Sequence, residues 1–350
     1  MRIAVLHPQT PFVHGGAEVH TQALVTALRE AGHDAEIVQI AGKWYYASEI
    51  VHQMAVWRSF DITESNGLVV DAVIALKFPA YLATHDRKIV WLIHQHRAAY
   101  ELWDHPEYGD LAKQEDGPTV RDLIHTADRM ALSEAKRIFT NSKNVQKRLW
   151  DALQIPAEVL YHPSPAAEEL LAAEPGPYGD YVFYPSRLEV MKRQQLVIEA
   201  MQHVKSDTKL VLVGRGPDER ALRDQIQLLG LGDRVRMEIG VSHERLLELY
   251  LGARAVFNGP FDEDYGYVTI EGMAAKRPVV TLTDAGGPLE FVHDGETGLV
   301  VPADPKAIAS AFDRLAADAS AAQRFGDAGN ALVRDVVPAW PEIVTRLLDR

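Results

Sequence analysis

Short β-branched runs alternate with longer segments of helical period along this chain, and this pattern limits the possible fold classes. In the first half, strand character marks residues 3–6, 35–40, 69–75, 88–93 and 137–140. Helical period marks the segments between them, notably residues 17–31 and 120–135. This alternation predicts βαβ units around a parallel sheet, with ligands at the carboxyl ends of the strands.

The alternation is interrupted once and then begins again. Closely spaced prolines and glycine at residues 162–165 and 174–177 cannot sustain regular structure and predict a domain linker. Strand character then returns at residues 181–184, 209–213, 235–239, 255–258 and 279–282. We therefore expect an α/β fold of two Rossmann-like doubly wound domains facing a cleft, residues 1–165 and 166–336. The tail, residues 337–350, is predicted to be a C-terminal helix that crosses back to the first domain.

Composition and charge narrow the classes of partner. A chain of 350 residues exceeds the usual size of one hydrophobic core, and its 47% hydrophobic content is typical of a folded protein. The net charge of −13 opposes binding to nucleic-acid phosphates, so we expect no nucleic-acid partner. The absence of cysteine excludes disulfides and thiolate metal sites.

The hydrophobic pattern predicts a cytoplasmic protein. The apolar run at the start is too short for a signal peptide, and no stretch approaches the ~18 apolar residues of a membrane span. Peripheral membrane contact and the oligomeric state stay open at this stage.

The most informative segment is residues 261–275, which follows a predicted strand and enters a helix near Tyr267. Glu263 and Glu271 are separated by seven residues, with the pair Tyr265–Gly266 between them. Glycine at a strand-to-helix junction lets the backbone approach a ligand, and the helix amino terminus suits a diphosphate. Carboxylates accept hydrogen bonds from vicinal hydroxyls, so Glu271 suits a ribose and Glu263 a donor sugar.

This segment resembles glycosyltransferase family 4, whose signature is two glutamates at this spacing around an aromatic–glycine pair. The resemblance continues through residues 277–280, 286–290 and 294–302. It implies the GT-B fold, with a nucleotide-sugar donor in the second domain and the acceptor at the first. It also implies donor-binding roles for Tyr265, Gly266 and Tyr267, and the sugar and ribose roles for the two glutamates.

The acidic triplet Asp262–Glu263–Asp264 suggests a different interpretation. Such a triplet is typical of the metal-binding motif in the other major glycosyltransferase fold, where a divalent ion holds the diphosphate. Here the triplet lies late in the second predicted domain and overlaps the paired-glutamate signature. We therefore expect no metal site and no cofactor.

Cationic side chains are then needed to neutralise the leaving diphosphate. Residues 184–192 resemble the family segment that carries an arginine and a lysine, here Arg187 and Lys192. Arginine binds phosphate oxygens through a planar fork, and lysine adds a compact positive charge. The chain has Arg193 where the family usually has the glycine that follows the lysine, a difference that bears on the shape of the loop.

The first domain contributes a glycine pair and a histidine. Gly15 and Gly16 lie between the first strand and first helix, as in the family, and bring backbone donors towards the donor phosphate or the reacting centre. His94 ends the fourth predicted strand, where the family has a histidine that faces the cleft; His96 is the alternative.

Two second-domain loops resemble the base-binding loops of the family. Gly214 and Val241 lie in them, after predicted strands, where backbone groups are available to a nucleobase. The first loop lacks the full glycine fingerprint of a dinucleotide site, which argues against a dehydrogenase.

The sequence thus predicts a retaining, metal-independent glycosyltransferase that moves a hexose from a nucleoside diphosphate sugar to a carbohydrate or lipid-linked carbohydrate acceptor. Retention is implied by the resemblance, with His94, Arg187, Lys192 and Glu263 in catalytic roles. A sugar-nucleotide epimerase and a non-catalytic nucleotide-sugar-binding protein are the alternatives. The donor base, uridine or guanosine, is left open, as are the donor sugar, the linkage and the acceptor.

Overall fold

The computed structural model describes residues 1–13, 15–43 and 46–349. The chain divides into two compact units, one formed by Met1–His162 with Ala339–Arg350 and the other by Pro163–Pro338. The predicted return of the C-terminal helix to the first unit is confirmed. Arg350, which the sequence included in that helix, lies outside the described residues, as does His14 beside the glycine pair.

The first unit is built on a parallel sheet with strand order β2-β1-β5-β6-β7-β8. Its strands are β1 (Arg2–Gln9), β2 (Asp34–Ala41), β5 (Ala72–Lys77), β6 (Lys88–His94), β7 (Arg137–Thr140) and β8 (Glu158–Val159). A separate antiparallel pair is formed by β3 (Glu64–Ser65) and β4 (Leu68–Val69). The helices are α1 (Gly16–Glu30), α2 (Ala47–Ser59), α3 (Gly117–Ser133), α4 (Lys143–Leu153) and, from the C-terminus, α12 (Trp340–Leu348).

The second unit is built on a parallel sheet with strand order β11-β10-β9-β12-β13-β14. Its strands are β9 (Tyr181–Pro185), β10 (Lys209–Val213), β11 (Val235–Glu238), β12 (Ala255–Asn258), β13 (Val279–Leu282) and β14 (Gly298–Val301). Its helices are α5 (Ala167–Ala172), α6 (Gln194–Ala200), α7 (Glu219–Leu228), α8 (His243–Gly252), α9 (Tyr267–Ala274), α10 (Pro305–Ala317) and α11 (Ala319–Val336). In chain order this is 3-2-1-4-5-6, the Rossmann arrangement.

Burial explains why the central strands read as continuous apolar runs. Every residue of β5 and of β12 is buried, because helices cover both faces of a parallel sheet. β2 lies at the edge of its sheet and mixes buried with exposed residues. The predicted pair of doubly wound α/β domains is confirmed.

One predicted strand, residues 69–75, is wrong in its first part. Val69 belongs to the short antiparallel pair, and the sheet strand begins at Ala72 and continues to Lys77. Val70 and Asp71 lie between the two strands, where the Asp71 amide donates to the Arg2 carbonyl. A β-branched run does not reveal this change of partner.

Helix α12 packs on the first unit through one apolar face. Ile343, Val344 and Leu347 are buried in the core that α1 forms with strands of the sheet. Among the described residues, no helix is both long and apolar enough to cross a membrane.

Candidate functional site

The second sheet has its topological switch point between β9 and β12. β10 lies on one side of β9 and β12 on the other, so the chain leaves the carboxyl ends of β9 and β12 in opposite directions. Ligands of open α/β sheets bind in the crevice at such a point. The loop after β9 carries Arg187 and Lys192, and the loop after β12 carries Glu263.

Lys192 and Glu263 are brought together directly. Lys192 Nζ forms a salt bridge with Glu263 Oε2, although the two residues are 71 positions apart. Each side chain is 21% exposed, so the pair is partly desolvated and still accessible. The backbone carbonyl of Lys192 accepts a hydrogen bond from the buried Tyr184 hydroxyl. The structure therefore joins a cation and a carboxylate at the switch point.

The backbone of Glu263 is fixed by the segment after β13. Its amide donates to the Ala285 carbonyl at 2.7 Å, and its carbonyl accepts from the Gly287 amide at 2.8 Å. A Cβ on Gly287 would lie 2.5 Å from the Asp264 carbonyl oxygen, so only glycine permits this approach. The position of Glu263 thus depends on two loops rather than on its own loop alone.

Arg187 points to a different partner. Its guanidinium pairs with Glu189 in the same loop, and its side chain is 43% exposed. An exposed ion pair between nearby residues contributes little to stability, so Arg187 can readily leave Glu189 and bind another anion.

Glu271 lies in α9 and is partly buried. The Tyr250 hydroxyl of α8 donates to Glu271 Oε2 at 2.5 Å. Burial raises the pKa of Glu271, whereas hydrogen bonds from Tyr250 and Ser164 and the charge of His243 act in the opposite direction. Sequence reasoning missed Tyr250 and Ser164, which hold this carboxylate.

The junction before α9 forms as the sequence predicts, with the helix beginning at Tyr267. Gly266 has φ of +90°, and a Cβ there would lie 3.0 Å from Pro288 Cγ and 3.1 Å from Asn258 Nδ2. Tyr265 is buried and packs edge-on against Phe291 at 5.7 Å. The neighbouring Tyr265 and Tyr267 rings are 5.9 Å apart.

Gly214 and Val241 lie in the loops that follow β10 and β11. A Cβ on Gly214 would lie 1.8 Å from the Ser186 carbonyl oxygen, so glycine is required for contact between the loops after β9 and β10. Val241 is partly buried and precedes Ser242, whose hydroxyl caps α8 by accepting from the Arg245 amide. The loop after β10 is therefore packed tightly against the loop that carries Arg187.

Glu263, the central residue of the acidic triplet Asp262–Glu263–Asp264, is the one that pairs with Lys192. Among the described residues, no group of three or more histidine, aspartate or glutamate side chains is arranged to hold a metal ion.

In the first unit, Gly15 and Gly16 lie at the start of α1, and a buried charged cluster accompanies them. The Gly15 amide donates to Glu18 Oε2 at 2.8 Å. Glu18 Oε1 lies 3.3 Å from His7 Nε2 and 3.8 Å from Lys77 Nζ. Burial would raise the pKa of Glu18, but the His7 hydrogen bond and the Lys77 charge outweigh it and lower the pKa to about 2. Burial also lowers the pKa of His7.

This first-unit cluster was not predicted, although its members follow from strand position. His7 lies in β1 and Lys77 ends β5, and these strands flank the switch point of the first sheet. The sequence signal that could have indicated this cluster is Lys77, a charged residue at the end of an apolar strand.

His94 ends β6, as predicted. Its Nδ1 lies 2.7 Å from the Gln95 carbonyl oxygen, which can only accept, so Nδ1 carries the proton of this contact. His96 is buried and its ring packs edge-on against Phe78 at 5.3 Å. His94 is the more exposed of the two histidines.

Gln95, the residue after His94, contacts a buried carboxylate that the sequence did not indicate. Asp128 accepts from the Tyr81 hydroxyl at 2.9 Å, the Tyr100 hydroxyl at 2.8 Å and the Gln95 amide at 3.3 Å. Burial raises the pKa of Asp128, and the three hydrogen bonds lower it because they favour the carboxylate. Burial has the larger effect, and the pKa is raised to about 6. The network fixes Gln95, the residue between the two histidines.

The family comparison covers most of the second unit. Residues 175–331 match the family described as Glycosyl transferases group 1. The phosphatidyl-myo-inositol mannosyltransferase of Mycobacterium leprae is 28% identical over 363 residues, which is 95% of this chain and 92% of that protein. The predicted resemblance to GT-B glycosyltransferases is confirmed. Four other curated relatives are matched over only 19% to 40% of their own length.

Solved structures share the fold over nearly the whole chain. The sucrose-phosphate synthase from Thermosynechococcus elongatus has a TM-score of 0.77 at 19% identity, covering 99% of this chain and 96% of that one. The Anabaena protein HepE, solved in complex with UDP and glucose, has a TM-score of 0.70 at 16% identity and covers 99% of each chain. At these identities the likeness shows the GT-B fold.

Proposed function

We propose that this chain, whose residues 175–331 belong to the glycosyl transferases group 1 family, is a retaining, metal-independent glycosyltransferase. It moves a hexose from a nucleoside diphosphate sugar to a carbohydrate or lipid-linked carbohydrate acceptor. The observation that carries the proposal is the Lys192–Glu263 salt bridge at the switch point of the second sheet. A cation for phosphate and a carboxylate for sugar hydroxyls are adjacent there, where a sugar diphosphate needs both.

Each donor group has a residue of matching chemistry in the second unit. Lys192 and the exposed Arg187 stabilise the negative charge that develops on the leaving diphosphate. Glu263 accepts hydrogen bonds from donor-sugar hydroxyls and Glu271 from the ribose, while the loops of Gly214 and Val241 receive the base. In the first unit, His94 is the predicted organiser of the donor sugar.

The proposed reaction needs no protein base. The bond between the anomeric carbon and the phosphate oxygen breaks, and the acceptor oxygen bonds to the same face of that carbon. The acceptor proton passes to the leaving phosphate oxygen. Arg187 and Lys192 therefore act by charge stabilisation rather than by proton transfer.

The relatives support a hexose without selecting the donor base. The matched Mycobacterium leprae protein is named a mannosyltransferase, and the HepE structure holds UDP and glucose. Both uridine and guanosine donors therefore belong in the test.

A panel of labelled nucleotide sugars, with nucleotide release and sugar products measured, separates this proposal from its alternatives. Transfer, or slow donor hydrolysis with nucleotide release, supports a glycosyltransferase. Formation of an epimerised nucleotide sugar supports an epimerase, and saturable binding with neither product supports a non-catalytic binding protein. A thermal-shift screen of the same panel identifies the donor, because bound ligand stabilises the folded chain.

Two substitutions test separately the residues proposed for donor binding and for turnover. We expect Glu271→Ala to raise the donor Kd by about 10–100-fold, because hydrogen bonds to a carboxylate are lost. We expect Arg187→Ala to lower kcat by roughly 100-fold with a smaller effect on Kd, because the charge it stabilises develops in the transition state. Arg223→Ala, which removes the exposed pair with Glu219 in α7, is the control. Unchanged kinetics in both Glu271→Ala and Arg187→Ala would contradict the assignment.

The proposed metal independence is tested by measuring the transfer rate after chelator treatment. After treatment with a chelator and desalting, the chain is expected to keep its transfer rate, because Arg187 and Lys192 supply positive charge. Loss of activity that manganese restores would assign the diphosphate to a metal ion instead.

A further inference from the structure

Arg193 has a backbone conformation that usually requires glycine. It lies between Lys192 and the first residue of α6, with φ of +56° and ψ of +38°. A side chain in this left-handed region is unfavourable and persists where surrounding contacts hold it. The resembled family usually has glycine at this position, so the arginine is a distinguishing feature of this chain.

The contacts of Arg193 are well defined. Its Nη1 donates to Asp284 Oδ1 and its Nη2 to Asp284 Oδ2, both at 2.8 Å. Its guanidinium carbon lies 5.0 Å from the centroid of the Phe261 ring. The Arg193 side chain is 16% exposed, whereas the Arg187 side chain is 43% exposed, so the Arg193 guanidinium is the more buried of the two. A bidentate arginine–carboxylate pair fixes orientation as well as distance.

The partners of Arg193 belong to the loops that hold the candidate site. The Asp284 carbonyl accepts from the Asp262 amide at 2.9 Å, one residue before Glu263. The Phe261 amide donates to the Met191 carbonyl at 2.9 Å, one residue before Lys192. Arg193 therefore connects the loops after β9, β12 and β13 at the places where the salt-bridged pair originates.

We infer that Arg193 is a positioning residue that, through Asp284 and Phe261, fixes Lys192 relative to Glu263 for reaction with the donor. This inference rests on the proposed function. Arg193, Asp284 and Phe261 are called the Arg193 clamp below. The clamp supplies the rigidity, while Lys192 and Glu263 contact the donor.

The Arg193→Gly variant separates the clamp from the backbone conformation. Glycine accepts φ of +56° without strain, so the variant loses the side-chain contacts alone. We expect kcat to fall about 10–100-fold, with KM within about threefold, because a small displacement of a charge-stabilising group has a large effect on rate. Arg193→Lys, which keeps the charge and loses the fork, should give an intermediate kcat.

The matched control is Gln154→Gly, because Gln154 has nearly the same φ, +57°, at the end of α4 in the first unit. It should leave kcat unchanged. Arg193→Gly combined with Asp284→Asn should lower kcat no further than Arg193→Gly alone, since the glycine variant has already lost the contact with Asp284.

Amide hydrogen exchange provides a readout that needs no donor. We expect faster exchange in peptides covering residues 186–193 and 259–264 in Arg193→Gly, and unchanged exchange in those peptides in Gln154→Gly. Unchanged exchange in the first variant would overturn the clamp, and so would a lowered melting temperature with unchanged kcat. If the wild-type chain transferred no sugar from any donor, the proposed function would fail, and a positioning role for Arg193 in that reaction would fail with it. If wild-type transfer is intact and Arg193→Gly matches it, only the clamp fails.

Discussion

At the scale of single residues, environment separates the two glutamates of the signature. Glu263 is paired with Lys192 and is partly exposed. Glu271 is partly buried, and its carboxylate accepts a hydrogen bond from the Tyr250 hydroxyl. An ionised carboxylate accepts hydrogen bonds from hydroxyls more strongly than a protonated one, so the donor affinity that we propose for Glu271 is expected to depend on pH.

Tyr250→Phe tests this sensitivity. The hydroxyl favours the ionised form of Glu271, so its removal raises the pKa of Glu271 further above the ordinary value. The proportion of carboxylate then falls at a given mildly acidic pH, and the acid limb of donor affinity moves to higher pH. At alkaline pH Glu271 is ionised in both proteins, so the donor Kd should stay within about threefold of wild type.

Calorimetric titration with the donor across a pH series measures this shift. Tyr181→Phe is the control, because it removes a phenol that donates to the Leu249 carbonyl instead. Superimposable pH curves for Tyr250→Phe and wild type would remove the proposed link between Tyr250 and the ribose carboxylate.

At the scale of elements, the start of α9 depends on glycine for two separate reasons. Gly266 has a positive φ, and its missing Cβ leaves space for Pro288 and Asn258. Gly230, after α7, has φ of +65° with no atom within 4 Å of a built Cβ. The two positions share the backbone requirement and differ in crowding.

Gly266→Ala should therefore destabilise the chain more than Gly230→Ala does. We expect backbone strain of about 1–3 kcal/mol in each, with an added crowding penalty only at Gly266. Donor affinity should fall in Gly266→Ala alone, because the backbone of Gly266, unlike that of Gly230, belongs to the proposed diphosphate site. Unfolding followed by circular dichroism gives the stabilities, and equal losses in the two variants would exclude crowding at the junction.

At the scale of the whole molecule, the C-terminal segment completes the first unit after the chain has built the second. Helix α12 places Leu347 in the core beside α1, and Trp340 lies near His162, the last residue before the chain enters the second unit. The five tryptophans among the described residues, Trp57, Trp91, Trp103, Trp150 and Trp340, all fall in the first unit. Tryptophan fluorescence therefore reports unfolding of that unit.

Leu347→Ala should lower the stability of the first unit by about 2–5 kcal/mol, because a fully buried leucine leaves a cavity. Glu342→Ala, at an exposed position of α12, should change it little. The fluorescence transition in urea measures both. A Leu347→Ala transition identical to wild type would mean that α12 does not stabilise this core.

Several features were predictable from local sequence pattern. Apolar periodicity predicted the two doubly wound α/β domains, and the resemblance to glycosyltransferase family 4 indicated His94, Lys192 and Glu263. The local pattern erred at residues 69–75, where a β-branched run changes its partner, and predicted neither the two-residue strand β8 nor the four-residue strand β14.

Which side chains contact each other is set by tertiary packing. The Lys192–Glu263 contact follows from the adjacency of β9 and β12, which is set by strand pairing and not by distance along the chain. The buried partners of Glu271 and Asp128 come from helices and loops packed together in three dimensions. Arg193 is the clearest case: the sequence marked it as a departure from glycine, and its left-handed backbone becomes tenable through contact with Asp284. Local chemistry is encoded by neighbours in sequence, whereas pairing, burial and the resulting pKa shifts depend on neighbours in space.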